Sequence, residues 1–191
     1  MVYRRSEEVD VKRIACVAFA VLLVSSAMAF ANETKSSQIP WMASFDHGGD
    51  LNFYGTVGLS YYGLSASAGP EFIINQFDAG GVPLSWGIMV RGVATFASYY
   101  GYNWVSWGAA PAVSLHWGVD FGGPAKFDLY AALGLGVYGF TQSFLSYAPV
   151  NFGVAFFSGV AWHFSDAIAL IVDSGYVGWA YEYGIGLKFK L

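Results

Sequence analysis

After residue 50 the chain alternates between large apolar side chains and small or polar ones with a period of two, the mark of strands with two unlike faces. The stretch YEYGIGLKFKL puts Tyr181, Tyr183, Ile185, Leu187, Phe189 and Leu191 on one face, and Glu182, Gly184, Gly186, Lys188 and Lys190 on the other. Seven further segments carry the pattern: 51–61, 64–74, 84–96, 104–117, 127–137, 151–164 and 167–176. Turn chemistry separates several of them, as in Asp78-Ala79-Gly80-Gly81 before Pro83, Asp120-Phe121-Gly122-Gly123-Pro124, and Phe164-Ser165-Asp166. The pattern predicts eight antiparallel strands.

Such alternation suits a soluble sandwich, with its apolar face inward, or a membrane barrel, with its apolar face toward lipid. Three features favour the second. The small-residue faces are mostly Gly, Ser, Ala, Thr and Tyr, whereas a soluble exterior needs many Lys and Glu. The segments, of about 10 to 14 residues, match tilted strands that cross a bilayer. With strands running alternately up and down, the aromatics sort to their ends. Trp86, Trp117, Phe127, Trp162 and Phe189 fall near one rim. Tyr61, Phe96, Trp107, Phe152, Tyr176, Trp179 and Tyr181 fall near the other. Two girdles of this kind are expected where amphipathic rings meet a lipid–water interface. A sheet in hydrocarbon cannot leave backbone donors unpaired and must close on itself. The expected fold over residues 49–191 is therefore an all-β, eight-stranded antiparallel transmembrane up-and-down barrel.

Composition agrees. Only 12% of the 191 residues are charged, against about a quarter in soluble domains, and 19% are aromatic. Part of the apolar excess is N-terminal. The run IACVAFAVLLV (14–24) follows Lys12 and Arg13 and precedes SSAMAFA, with small residues at signal-peptidase spacing. Residues 1–31 thus read as a cleaved secretory signal, too short to span a bilayer, with Val11 a candidate for the true start. Cys16 would leave with it, so the exported chain has no disulfide. Residues 32–48 do not alternate and read as a periplasmic lead-in or a plug. The exported part holds five Lys+Arg (Lys35, Arg91, Lys126, Lys188, Lys190) and ten Asp+Glu, with no basic patch for nucleic acid.

Two stretches are motif-like. Gly186, Phe189 and Leu191 resemble the C-terminal assembly signal of bacterial outer-membrane barrels, with Leu191 where Phe is usual. Residues 162–170 (WHFSDAIAL) resemble the aromatic, periplasmic-turn, next-strand segment of the OmpA, OmpX and OmpW class. The resemblance implies location in the outer membrane with both termini in the periplasm. It also implies contact with outer-membrane lipid and insertion by the barrel-assembly machinery. External connections would fall near Tyr62-Gly63, 98–103, 139–149 and Val177-Gly178.

Eight strands enclose a lumen only wide enough for side chains. Alternation points Glu71, Arg91, Asp128, Asp173, Glu182, Lys188 and Lys190 inward, along with His116, His163, Tyr54, Tyr130 and Tyr138. Arg91 with Glu71 on the neighbouring strand, and Glu182 within reach, is the expected centre of a buried charge network. Inward Gly, Ala and Ser leave either a narrow path or room for Tyr54, Tyr130, Tyr138 and Phe157 to fold across.

The resemblance to OmpW-like barrels and a lightly charged lumen favour a narrow passive channel for small, apolar solutes. The alternative is a structural or surface-interaction barrel that contacts host surface molecules and transports nothing. A lipid-modifying enzyme would need an activated nucleophile, and Ser114 beside His116 matches no such motif. The reading is of no enzyme and no cofactor. His47, His116 and His163 lie on separate segments without ligand spacing, so no metal site is expected either.

Overall fold

Each alternating segment of the sequence is a strand in a computed structural model, which describes residues 41–61, 63–99, 102–120, 126–142 and 149–191. Outside the described residues lie the stretch read as a signal peptide (1–31), the first part of the one read as a lead-in (32–40), Tyr62, and residues 100–101, 121–125 and 143–148 in the connections. The strands are β1 (Trp41–Met42), β2 (Leu51–Leu59), β3 (Leu64–Asp78), β4 (Pro83–Tyr99), β5 (Tyr102–Asp120), β6 (Lys126–Gln142), β7 (Val150–His163), β8 (Ile168–Val177) and β9 (Ala180–Lys190).

Consecutive strands from β2 to β9 pair antiparallel, and β9 pairs back onto β2, so the eight form a closed ring with no free edge along their shared length. The register gives the stagger. Pairing runs from Tyr138 through Gly108, Val93, Ser67, Thr56, Gly186, Ile171 and Ala161 and returns to β6 at Asp128, ten residues from its start. A stagger of that size over eight strands sets a strand tilt of about 40° and a backbone radius of about 8 Å. Long side chains can reach across such a ring.

The faces are inverted relative to a soluble protein. Val57, Leu135 and Phe152 are 65%, 71% and 84% exposed on the outer wall, whereas Glu71, Arg91 and Lys188 are 1–2% exposed inside. Large apolar side chains therefore meet the surroundings, and the ionic ones meet one another. Only lipid makes that arrangement favourable. The fold is an eight-stranded transmembrane barrel.

The wall is uneven. Strands β3 to β6 have 15, 17, 19 and 17 residues, while β8, β9 and β2 have 10, 11 and 9. A tilted strand crosses a bilayer in about 9–11 residues, so β4, β5 and β6 rise beyond the short side. Alternation underestimated β3 because its register shifts between Ile73 and Asn75, which moves the next side chains to the other face.

β1 was not foreseen in the sequence. It pairs with β5, Trp41 opposite Val119 and Met42 opposite Gly118, where β5 extends past the end of its pairing with β4 at His116. The short strand covers backbone that would otherwise be an open edge.

Candidate functional site

The lumen falls into three levels, one toward the rim where β2 starts and β9 ends (the terminal rim), one at mid-height, and one toward the opposite, far rim.

At the terminal level, the chain after β1 turns into the barrel mouth. Asp46 is fully buried there. Its backbone carbonyl accepts from Ser85 Oγ (2.7 Å) and Gln76 Nε2 (3.0 Å), and its Oδ1 accepts from Asn52 Nδ2 (3.1 Å). Its Oδ2 receives the Lys188 ammonium. A tight turn, with Gly49 at φ 97° and Asp50 Oδ2 accepting the His47 amide (2.7 Å), then leads into β2. Lys190 anchors this segment at the rim through Phe45 O and Asp50 Oδ2, both at 2.7 Å. Residues 43–50 thus stopper the terminal end.

Above the stopper, His116 Nε2 lies 2.8 Å from Glu71 Oε1, and Glu71 also accepts from Tyr54 Oη. His116 Nδ1 faces Asp46 Oδ2 (3.3 Å) and Asp128 Oδ2 (3.4 Å), while Ser44 Oγ donates to the same Asp128 oxygen (3.2 Å). Burial raises the pKa of Asp46, yet Lys188 and then His116 outweigh it and hold the carboxyl well below the usual range. His163 sits at the terminal rim with its ring 4.8 Å from Phe45.

At mid-lumen the organising residue is Arg91, and its partner is not Glu71. Its Nη2 reaches Asp173 Oδ2 (2.5 Å) on β8, four strands away and therefore on the opposite wall. Its Nη1 donates to Tyr130 Oη (3.0 Å), its Nε and Nη2 to Ser67 Oγ (3.0 and 2.8 Å), and Tyr130 Oη donates to Asp173 Oδ2 (2.5 Å). Glu182 accepts from Thr56 Oγ1, which also contacts Ser67 Oγ (2.8 Å). The expected Arg91–Glu71 pair fails because a guanidinium spans the ring's radius, and the carboxylate it meets head-on is across the lumen. Glu71 is taken instead by His116. The guanidinium also lies over the Tyr54 and Phe157 rings, with Cζ 5.6 and 5.2 Å from their centres.

Toward the far rim charges end and the walls meet. A Cβ added to Gly108 on β5 would stand 2.6 Å from Val177 Cβ on β8. Thr95 Oγ1 on β4 donates to Tyr181 O on β9 (3.0 Å). Ala110, Ala155, Val177 and Ala180 fill this level with no exposed surface. Small inward residues here serve two ends: Gly153 and Gly175 make room for the Tyr138 and Phe157 rings, as expected, and Gly108 lets opposite strands touch.

Most girdle aromatics lie on the outer wall: Trp86, Trp107 and Trp117 are half-buried, Trp162 is exposed and stacks on Phe127, and Tyr181 packs on Tyr176. Trp179 differs. Its ring packs against Tyr138 (5.8 Å) and Phe140 (5.9 Å) of β6, because Gly178, at φ 59°, turns the chain beneath the Tyr138 ring. The motif-like C-terminal residues form the closing seam: Gly186 pairs with Thr56, Phe189 with Phe53, and Leu191 N donates to Leu51 O (2.8 Å).

No family model matches the chain, and no curated protein does. Solved structures do resemble it at low identity. A de novo designed transmembrane β-barrel is 14% identical, with 76% of this chain and 98% of that one covered at a TM-score of 0.42. The attachment invasion locus protein Ail of Yersinia pestis, solved in complex with the heparin analogue sucrose octasulfate, is 9% identical, with 74% and 97% covered at a TM-score of 0.39. Neisserial surface protein A is 16% identical, with 74% and 95% covered at a TM-score of 0.37.

Proposed function

We propose that the protein is a closed, non-conducting barrel of the outer membrane that works as a surface-interaction element at its far rim. The observation that carries this reading is occlusion. Asp46, Glu71, Arg91, Phe157 and Val177, inward at successive heights of the lumen, have only 0–2% of their surface accessible to water. A lumen that passed solutes would leave its lining accessible, so the channel reading loses its support. Ser114 and His116 are fully buried in the same filling, and no lipid substrate reaches them, which supports a non-enzymatic role. The strands β4 and β5 continue past Thr95 and Gly108, where the lumen is pinched, to Tyr99 and Tyr102, and so present a raised hairpin for contact. Its tip sequence, Ser98 to Asn103 (SYYGYN), is uncharged and rich in Tyr, a residue suited to contact surfaces.

Planar-bilayer recordings of the refolded protein are expected to show no stable single-channel conductance, and liposomes containing it no solute uptake. A reproducible conductance reduced by altering Arg91 would restore the channel. Binding to host surface glycans or proteins is expected to disappear when residues 98–103 are replaced by a Gly-Ser turn, with the gel mobility of the folded barrel unchanged.

A further inference from the structure

We propose that Asp46, His116 and Asp128 form a binding site for a divalent first-row metal ion of the zinc type, which fastens the lead-in to the lumen wall. The three donors come from the lead-in, β5 and β6, and their ligand atoms lie within 4.8 Å of one another. All three side chains are at most 1% exposed. The Glu71 carboxylate, 2.8 Å from His116 Nε2, holds the proton on that nitrogen and turns Nδ1 toward the two Asp carboxylates.

Among the described residues Nδ1 has no hydrogen-bond partner, and neither has Asp128 Oδ1. Without a metal, a proton on Nδ1 makes the ring an imidazolium between the two carboxylates, and a divalent cation would displace that proton and take the same donors. The spacing suits one. Donors held at 2.0–2.1 Å around a tetrahedral zinc stand about 3.3–3.4 Å apart. The separations from Nδ1 to Asp46 Oδ2 and Asp128 Oδ2 are 3.3 and 3.4 Å. One imidazole with two carboxylates favours zinc over magnesium or calcium, which take oxygen donors alone, and over copper(I), which prefers sulfur.

Glu71 stands where a carboxylate commonly orients a metal-bound imidazole. Lys188 touches Asp46 Oδ2 and lies 3.9 Å from Asp128 Oδ2, so it shares the carboxylates without filling Nδ1. With a neutral imidazole, the charges of Asp46, Glu71, Asp128, Lys188 and a divalent ion sum to zero.

The test uses the refolded full-length exported chain in detergent, stripped with chelator and titrated with zinc chloride by calorimetry, with cobalt(II) absorption reporting coordination number. One equivalent of zinc and a four-coordinate cobalt spectrum, with water as the fourth ligand, are expected. Asp46→Asn and Asp128→Asn should each weaken binding more than tenfold, and Glu71→Gln by roughly 10–100-fold. His47→Ala, at an exposed imidazole outside the lumen, should change nothing. Asp46 lies outside the strands, so Asp46→Asn decides the matter even where a wall variant fails to fold. Absence of stoichiometric binding overturns the site and leaves a metal-free imidazolium–carboxylate cluster. Unchanged affinity in Asp46→Asn overturns it too, and assigns the zinc to surface histidine. Neither result bears on whether the barrel conducts.

Discussion

The two ends of the lumen are closed by opposite means. At the terminal level strands stand apart, and the space between them is filled by long ionic side chains and by chain entering from outside the ring, with Asp46 between Lys188, His116 and Asn52. At the far level nothing enters. The walls come together, β5 on β8 at Gly108 and Val177, and β4 on β9 at Thr95 and Tyr181. The difference shows what inward glycine and alanine mean in a small barrel. Gly159, at the charged level, makes room for the Tyr130 ring and Asp173, since a Cβ there would stand 2.9 Å from Tyr130 Cε1 and 2.6 Å from Asp173 Cβ. Gly108, at the pinched level, makes room for the opposite wall itself. Neither provides a passage.

The strongest challenge to this picture is Arg91→Ala. It removes the only cation at mid-lumen among the described residues and leaves Asp173 buried without a counter-charge, a loss of about 3–5 kcal/mol of barrel stability. Urea-dependent unfolding in lipid vesicles, read as loss of the heat-modifiable gel shift, measures it. Arg91→Ala with Asp173→Ala should recover part of the loss, because no unpaired charge then remains. If both single variants cost little and add independently, the tie across the lumen does not exist.

The fold was legible because lipid imposes one rule on every strand, and a period-two rule survives in sequence. Eight segments, their outward aromatics and their inward ionic residues follow from it, as Leu135 outside and Glu71 inside illustrate. What alternation cannot express is who meets whom across the ring. It suggested Arg91 beside Glu71 because neighbouring strands are the only adjacency a sequence displays, whereas the actual partner, Asp173, lies 82 residues away. The cluster of Asp46, His116 and Asp128 escaped for the same reason, since donor spacing along the chain is uninformative when a ring brings distant strands together. Trp179 escaped because its direction depends on a left-handed turn at Gly178, a conformation that the strand pattern does not report.

A second pair of variants sharpens the contrast at the far level. Gly108→Ala places a methyl group against Val177 and should destabilise by about 1–3 kcal/mol through overpacking. Val177→Gly in the same chain removes the Cβ that the new methyl would meet at 2.6 Å and should return part of that loss, since the Val177 carbonyl oxygen still stands 3.0 Å away. Rescue is expected only if the two walls touch, so an additive double variant in the same unfolding assay would mean that they do not.

The smallest expected effect is the most local. Ser85 Oγ donates to the Asp46 carbonyl at 2.7 Å, and Gln76 Nε2 donates to the same oxygen at 3.0 Å. Ser85→Ala removes one of two donors, so the carbonyl stays satisfied and the loss should be near the ordinary net value of a hydrogen bond, about 1 kcal/mol. That loss belongs to the lead-in and not to the ring, because Ser85 keeps its backbone place opposite His116 whatever its side chain. The expected signature is therefore faster amide exchange across residues 43–47 with an unchanged urea midpoint for the barrel, since a local opening costs less than unfolding the whole. A shift in the midpoint itself would mean that the stopper is part of what holds the wall closed, and the two ends of the lumen would then share one cooperative unit.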